Sequence, residues 1–563
     1  MHDILIQGGT VVDGTGAPAR QADVAVQGGH IAAVGQQLGG ARRVVDARGL
    51  LVTPGFVDIH THYDGQATWD AFLTPSCWHG VTTAVFGNCG VGFAPVKPGA
   101  TDYLINLMEG VEDIPGTVLA EGITWSWESF PEYLDALAQR SYAMDIGAQL
   151  PHAALRFYAM GQRGADHQER PSSGELDLMG RLAEEALRAG ALGITTSRTI
   201  KHRAKDGSYT PSLTAAEPEL FAIAGALRRA GKGVLEVNSD FGAGDFEILR
   251  AAAEAAGRPM SLLLLQSDNV PDLWRQTLDQ IHAARRDGLD VTGQVGAKSI
   301  GVLFGFETSR NPFDNHPAWR PLLPLAPRAR YERLRDDAAL RQRLVDERPT
   351  DALTAWFDQA FRRTFALGSA LDYEPDASQG LVARAQREGC SPWALALDAL
   401  LADDGRGLLL HPFENYSGGD FSVVHTMLAD SATVMGLGDA GAHVGLICDA
   451  AGPTYLLKHW ARDRQRGPRL PLEQLVKKQT LDTAAVYGLQ DRGVLAAGKK
   501  ADINLIDFQA LDLLPPRVAY DLPTGGRRLL QRARGYRHTF VSGVEVLRDD
   551  ELTGQTPGRL VRS

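Results

Sequence analysis

The chain is 563 residues long, 44% hydrophobic and 22% charged, with a net charge of −11 and an isoelectric point near 5.8. That composition excludes a disordered or fibrous chain, and the acidic balance disfavours a nucleic-acid partner. The one basic cluster, "RRLLQRARGYRH" at 527–538, reads as a solvated surface.

In chain order, "MHDILIQGGTVVDG" opens directly on strand-like alternation, with no basic stretch ahead of an apolar one, so no secretory signal is expected. No apolar run reaches the roughly 18 residues of a membrane span, and no membrane partner is expected. Four cysteines (Cys77, Cys89, Cys390, Cys448) in so long a chain make no disulfide framework and point to a reducing cytoplasm. Residues 1–53 alternate in short runs separated by turns, and 494–549 repeat that texture. The two ends, 1–53 and 491–563, are therefore expected to form one small β-sandwich domain.

Between them, over 54–490, apolar runs alternate with helical stretches. Strands are predicted to end at "VDIHTH" (57–62), "TTAVFGNC" (82–89), "DIGAQLPH" (145–152), "LGITTSR" (192–198), "GVLEVNSD" (233–240), "SLLLLQSD" (261–268), "DVTGQVGA" (290–297) and "TVMGLGDAG" (433–441). Helical spacing with a glycine at or just after the end marks 175–190, 218–231, 245–257 and 271–288. Eight strands with helices between them predict an α/β fold, a (β/α)8 TIM-like barrel whose active site lies at the C-terminal strand ends. Segments 98–143 and 298–432 exceed ordinary connections and are read as insertions covering the barrel mouth.

The strand ends carry the chemistry. Side chains two apart on a strand share a face, so His60 and His62 are expected to offer two nitrogens to one metal ion. Cys89, between Asn88 and Gly90, lies at a loop tip where a thiolate can ligate zinc; a buried apolar cysteine is the competing reading. Asp439 in "GLGDAGAHVG" is bracketed by small residues and suits both metal ligation and proton transfer, against a role in capping the next turn. His443 either meets substrate or is a loop residue. Arg198 and His202 after the fourth strand, and Lys298 after the seventh, are substrate-binding candidates whose alternative is ordinary surface exposure. His411, Asn415 and Tyr416 in "LLLHPFENYSGGD" read as a lid or substrate wall.

Together, "TPGFVDIHTHYDG", "GNCG", the eighth-strand Asp439 and "GVLAAGKKADINLIDF" resemble the amidohydrolase superfamily, and "GNCGVGFAPV" resembles its D-aminoacylase (N-acyl-D-amino-acid deacylase) branch. The resemblance implies that His60 and His62 are zinc ligands, that Cys89 is a ligand able to bridge two metals, and that Asp439 is ligand and proton shuttle. It also implies that His152, with Arg156, borders the site, and that the chain forms a homo-oligomer. The fifth and sixth strands of that family each add a metal-binding histidine, whereas the tips here read "LEVNSD" and "LLLQSD", and "LGITTSR" lacks the lysine that other branches carboxylate. One tightly bound divalent metal, zinc first, is therefore expected on His60, His62 and Asp439, with or without Cys89. Glu236, Asp240 and Asp268 are alternative oxygen ligands or exposed loop carboxylates.

The expected activity is metal-dependent hydrolysis of a small-molecule amide, an N-acyl amino acid first, with Asp439 as general base and acid and Asn88, His152 or His202 steadying the oxyanion. A bulkier or cyclic amide is the alternative substrate. A non-hydrolytic metal- or ligand-binding relative is the third reading, against which the joint presence of His60, His62, Cys89 and Asp439 speaks.

Overall fold

A computed structural model describes residues 1–563. All eight predicted runs are extended and parallel, buried on both faces as apolar strands under flanking helices must be. Phe56–Asp58, Val81–Phe86 and Asp145–Ala148 form a three-stranded sheet. Leu150–Pro151, Gly193–Arg198, Val234–Ser239, Met260–Leu263, Val291–Val295 and Thr433–Met435 form a six-stranded one in that order. The third predicted run is thus split at Gln149 and serves both sheets. At the other end, Asp439 N donates to His60 O at 3.0 Å and His62 N to Ala440 O at 2.8 Å, so the chain beyond the eighth run lies beside the chain beyond the first.

The helices between these strands are Ser173–Ala189, Glu217–Ala230, Asp245–Ala256 and Leu273–Arg286, within a few residues of their predicted positions. A reciprocal Ser172/Glu175 capping box starts the first, and Gly190, in the left-handed region at φ 117°, ends it. No helix is long and apolar enough to cross a membrane.

Both ends of the chain enter one nine-stranded sheet, joined where Ile503–Ile506 pairs antiparallel with Leu51–Pro54. Segment 98–143 folds into the helices Thr101–Val111, Gly116–Gly122 and Phe130–Ala138. Segment 298–432 is more than a flap. It contains an antiparallel sheet of Ile300–Phe304, Leu408–Glu414 and Phe365–Leu367, and a separate apolar core around Trp319, Phe357, Phe361 and Trp393.

Asp145 ties the C-terminal segment to the parallel core. It accepts from Arg492 at 2.7 Å, from Lys500, and from the Arg559 amide at 3.0 Å. Burial alone would raise its pKa, but Lys500 and Arg492 outweigh that and hold it below the usual carboxylate range. Removing one partner of such a buried pair strands the other charge. Asp145→Ala is therefore expected to cost about 3–5 kcal/mol in denaturant unfolding; a loss under about 1 kcal/mol, as for an exposed pair, would contradict this account.

Candidate metal centre

The imidazoles of His60 and His62 converge because the backbone between them is clamped on two sides. Asp58 Oδ1 accepts from the His60 amide at 3.1 Å, and the 439–440 segment pairs with 60–62 as described above. The rings end 5.5 Å apart, edge to face. A Cβ on Gly438 would lie 2.5 Å from Asp58 Oδ2, so only glycine there lets Asp439 approach so closely. Cys89 (φ 56°), Asp439 (φ 43°) and His443 (φ 49°) all adopt left-handed backbone without being glycine. Such conformations cost about 1–3 kcal/mol each and cluster where side-chain aim matters.

His60 Nε2 lies 3.4 Å from Asp439 Oδ1 and 3.5 Å from Cys89 Sγ, and His62 Nε2 lies 3.7 Å from the same Asp439 oxygen. One ligand atom each from His60, His62 and Cys89 falls within 4.8 Å of the others. Zinc bonds of about 2.0–2.3 Å in a tetrahedron put ligand atoms roughly 3.3–3.8 Å apart. The His60–Asp439, His60–Cys89 and His62–Asp439 separations match the edges of such a tetrahedron.

A second layer aims them. Gln294 Oε1 is 2.8 Å from His60 Nδ1, and Gln294 Nε2 donates to Ser261 Oγ at 2.9 Å, which orients the amide with its acceptor toward the ring. His60 then carries its proton on Nδ1, and the Nε2 lone pair faces Asp439 and Cys89. Glu236 is fully buried, not an exposed loop carboxylate; Oε2 accepts from the Cys89 amide at 3.1 Å and Oε1 lies 3.8 Å from His60 Nδ1, on the side of that ring away from Asp439. Asn238 Nδ2 donates to Cys89 Sγ at 3.4 Å and sits 3.3 Å from His202 Nε2. Glu112, from the 98–143 insertion, places Oε1 3.4 Å from His62 Nδ1 and Oε2 3.5 Å from His443 Nε2.

Glu112 and Gln294 escape sequence reasoning. Gln294, a polar residue inside a buried strand, offered a signal; Glu112, at the end of an inserted helix, offered none.

Of the other sequence candidates, His202 and His443 border the centre, both half-buried. The rest are spent elsewhere. Asn88 gives its amide to Thr61 O and Val85 O and accepts from Gln149, leaving nothing for an oxyanion. His152 bonds Thr196 and Glu219, and Arg156 bonds the same Glu219 and the 164–169 backbone, a buried structural network. Arg198 is paired with Asp245 and capped by Ala215 O. Lys298 is buried against Asp449 and over the Tyr373 ring. Tyr416 donates to Pro375 O and accepts from Arg466. Asp240 accepts from Thr199 and Ile200, Asp268 pairs with Arg363, and His411 bonds Thr364. Asn415 accepts from the Gln266 amide.

Burial, reinforced by Asp449 and Asp58, pushes Asp439 up to about 8. Burial, reinforced by Glu236, Glu112 and Asp439, raises the Cys89 thiol well above its usual value. It also drives His60 down to about 4 and His62 well below its usual value. The imidazoles are thus neutral and ready to ligate, while the acidic donors hold protons that a cation must displace.

A parallel α/β core with a buried nitrogen, sulfur and oxygen donor set at its strand ends defines a metalloenzyme. The Amidohydrolase family profile matches residues 43–547, and the chain belongs to that family. It is 29% identical to the D-aminoacylase of Alcaligenes xylosoxydans xylosoxydans, over 99% of this chain and 97% of the relative. It is 28% identical to the N-acyl-D-glutamate deacylase of the same organism, over 100% and 96%. Among solved structures, a D-aminoacylase with a binuclear metal centre aligns over 100% of both chains at 26% identity and TM-score 0.64. The N-acyl-D-glutamate deacylase of Bordetella bronchiseptica, complexed with zinc and a phosphonate mimic of the tetrahedral intermediate, aligns over 100% of both at 25% identity and TM-score 0.64.

Zinc affinity is expected to rise with pH through the region near 8 where Asp439 gives up its proton. Calorimetry in two buffers of different ionisation enthalpy should show protons released on loading. Affinity that does not change across this range, with no proton release, would contradict the donor assignment.

Proposed function

We propose that this chain is a single-metal amide hydrolase of N-acyl amino acids, with a preference for the D configuration. The observation that carries it is the gathering of His60, His62 and Cys89 donor atoms within 4.8 Å of one another, with Asp439 Oδ1 3.4 and 3.7 Å from the two imidazoles, in an Amidohydrolase family chain. The D preference rests on the relatives, a D-aminoacylase and an N-acyl-D-glutamate deacylase.

The chemistry a divalent cation supplies when bound here is Lewis acidity, which polarises a carbonyl and acidifies water. The chain's own residues do the rest. Asp439 turns Oδ1 toward the two imidazoles, leaving Oδ2 to take the proton of the attacking water and return it to the departing nitrogen. Burial drives His202 down to about 3 and His443 down to about 4, so both border the reacting carbonyl as neutral rings. Arg198 and Lys298 spend their charge on Asp245 and Asp449 and are not assigned to the substrate carboxylate.

In the same reading the two parallel sheets are one closed (β/α)8 barrel, supported by the shared 145–151 segment and the hydrogen bonds between 60–62 and 439–440. Residues 54–490 make that barrel, with 98–143 and 298–432 inserted, and 1–53 and 491–563 make one β-sandwich unit, supported by their common sheet. Four free thiols support a cytoplasmic setting.

Purified protein is expected to retain about one zinc per chain after dialysis and to hydrolyse N-acetyl-D-amino acids faster than their L isomers. Asp439→Asn is expected to lower kcat by about 10²–10⁴-fold with an unchanged circular dichroism spectrum. Wild-type turnover in that variant, or no metal in the wild type, would sink the proposal.

A further inference from the structure

Glu112 is a buried carboxylate with no hydrogen-bond partner on either oxygen, and His62 Nδ1 beside it has none either. Unsatisfied buried groups are costly, and a carboxylate more so than most. Two of them face to face, 3.4 Å apart and directly behind a donor of the metal centre, call for a common explanation.

We propose that Glu112 is a positioning residue for the metal. It accepts the Nδ1–H of His62, so that this ring presents its Nε2 lone pair toward Asp439, and its negative charge makes that nitrogen a stronger donor. His60 is aimed by the neutral amide of Gln294, whereas His62 faces a carboxyl group. The two donors from one strand end are therefore unequal.

The geometry holds Glu112 firmly in this role. It follows the helix Thr101–Val111, and its backbone carbonyl accepts from the His443 amide, which locks the insertion to the loop that carries Asp439. The next residue strengthens the same junction: Asp113 accepts from Ser309 Oγ at 3.0 Å and from the Gly445 amide at 3.2 Å. The other Glu112 oxygen faces His443 Nε2 at 3.5 Å. The 98–143 insertion thus completes the second layer of the centre as well as covering it, and an intact insertion becomes a condition for tight metal binding.

The inference rests on the proposed metal centre, and the test separates the two. Zinc dissociation constants of wild type and Glu112→Gln are measured by competition with a chromophoric chelator, beside the melting temperature of each metal-free protein. Glu112→Gln is expected to weaken zinc binding by about 10–100-fold, while the metal-free variant melts no lower than wild type, because an unpaired buried carboxylate has been removed. Wild-type affinity in Glu112→Gln overturns the positioning role; no zinc binding by wild type overturns the metal centre itself. Should Glu112→Gln not fold, 15N-histidine NMR of zinc-loaded wild type reads the same point, with the His62 signals assigned by their loss in His62→Gln. A ring protonated on Nδ1 is expected, and one protonated on Nε2 overturns the proposal.

Discussion

The structure depends on one electrostatic constraint: a largely buried pocket that gathers more carboxylates than it has cations to balance them. Asp58, Glu112, Glu236 and Asp449 are buried near His60 and His62 with Asp439 partly buried beside them, and Lys298 is the buried lysine among them. Burial raises every one of these carboxylates above its ordinary range. In the proposed metal centre a divalent cation held by His60, His62, Cys89 and Asp439 would lower that cost, turning strained acids into ligands and hydrogen-bond acceptors. The left-handed backbone at Cys89, Asp439 and His443 is the conformational counterpart, since rigid neighbouring strands force those side chains into a small volume.

The parallel strands supply the rigidity. Each donor follows the end of a buried parallel strand: Val81–Phe86, before Cys89, has strand neighbours on both sides, and Phe56–Asp58 and Thr433–Met435 have one each. The insertions then add what strands cannot. Segment 298–432 brings its own apolar core and stands as a unit, while 98–143 sends one carboxylate into the second layer.

Much of this was legible in the chain. The eight strands were readable because strands buried on both faces are continuous apolar runs, and three of the four interstrand helices because glycine caps their ends. His60 and His62 were readable because two-residue spacing at a strand end is local information, and Asp439 because small residues clear space around it. The candidates that the structure pairs internally share a feature. His152, Arg198, Lys298 and Tyr416 are chemically capable residues near strand ends, but whether such a side chain faces the mouth or an internal partner is decided by contacts far along the chain, such as Glu219 for His152 and Asp449 for Lys298. Glu112 was invisible for the same reason: 50 positions separate it from His62, and nothing local to "EGVEDI" announces the contact.

The most direct test of the account is X-ray absorption at the zinc edge of the loaded protein. A four-coordinate shell is expected, with two imidazole nitrogens, one sulfur at about 2.3 Å and oxygen in the remaining position. A shell without sulfur would remove Cys89 from the centre and contradict the claim that these four side chains share one ion.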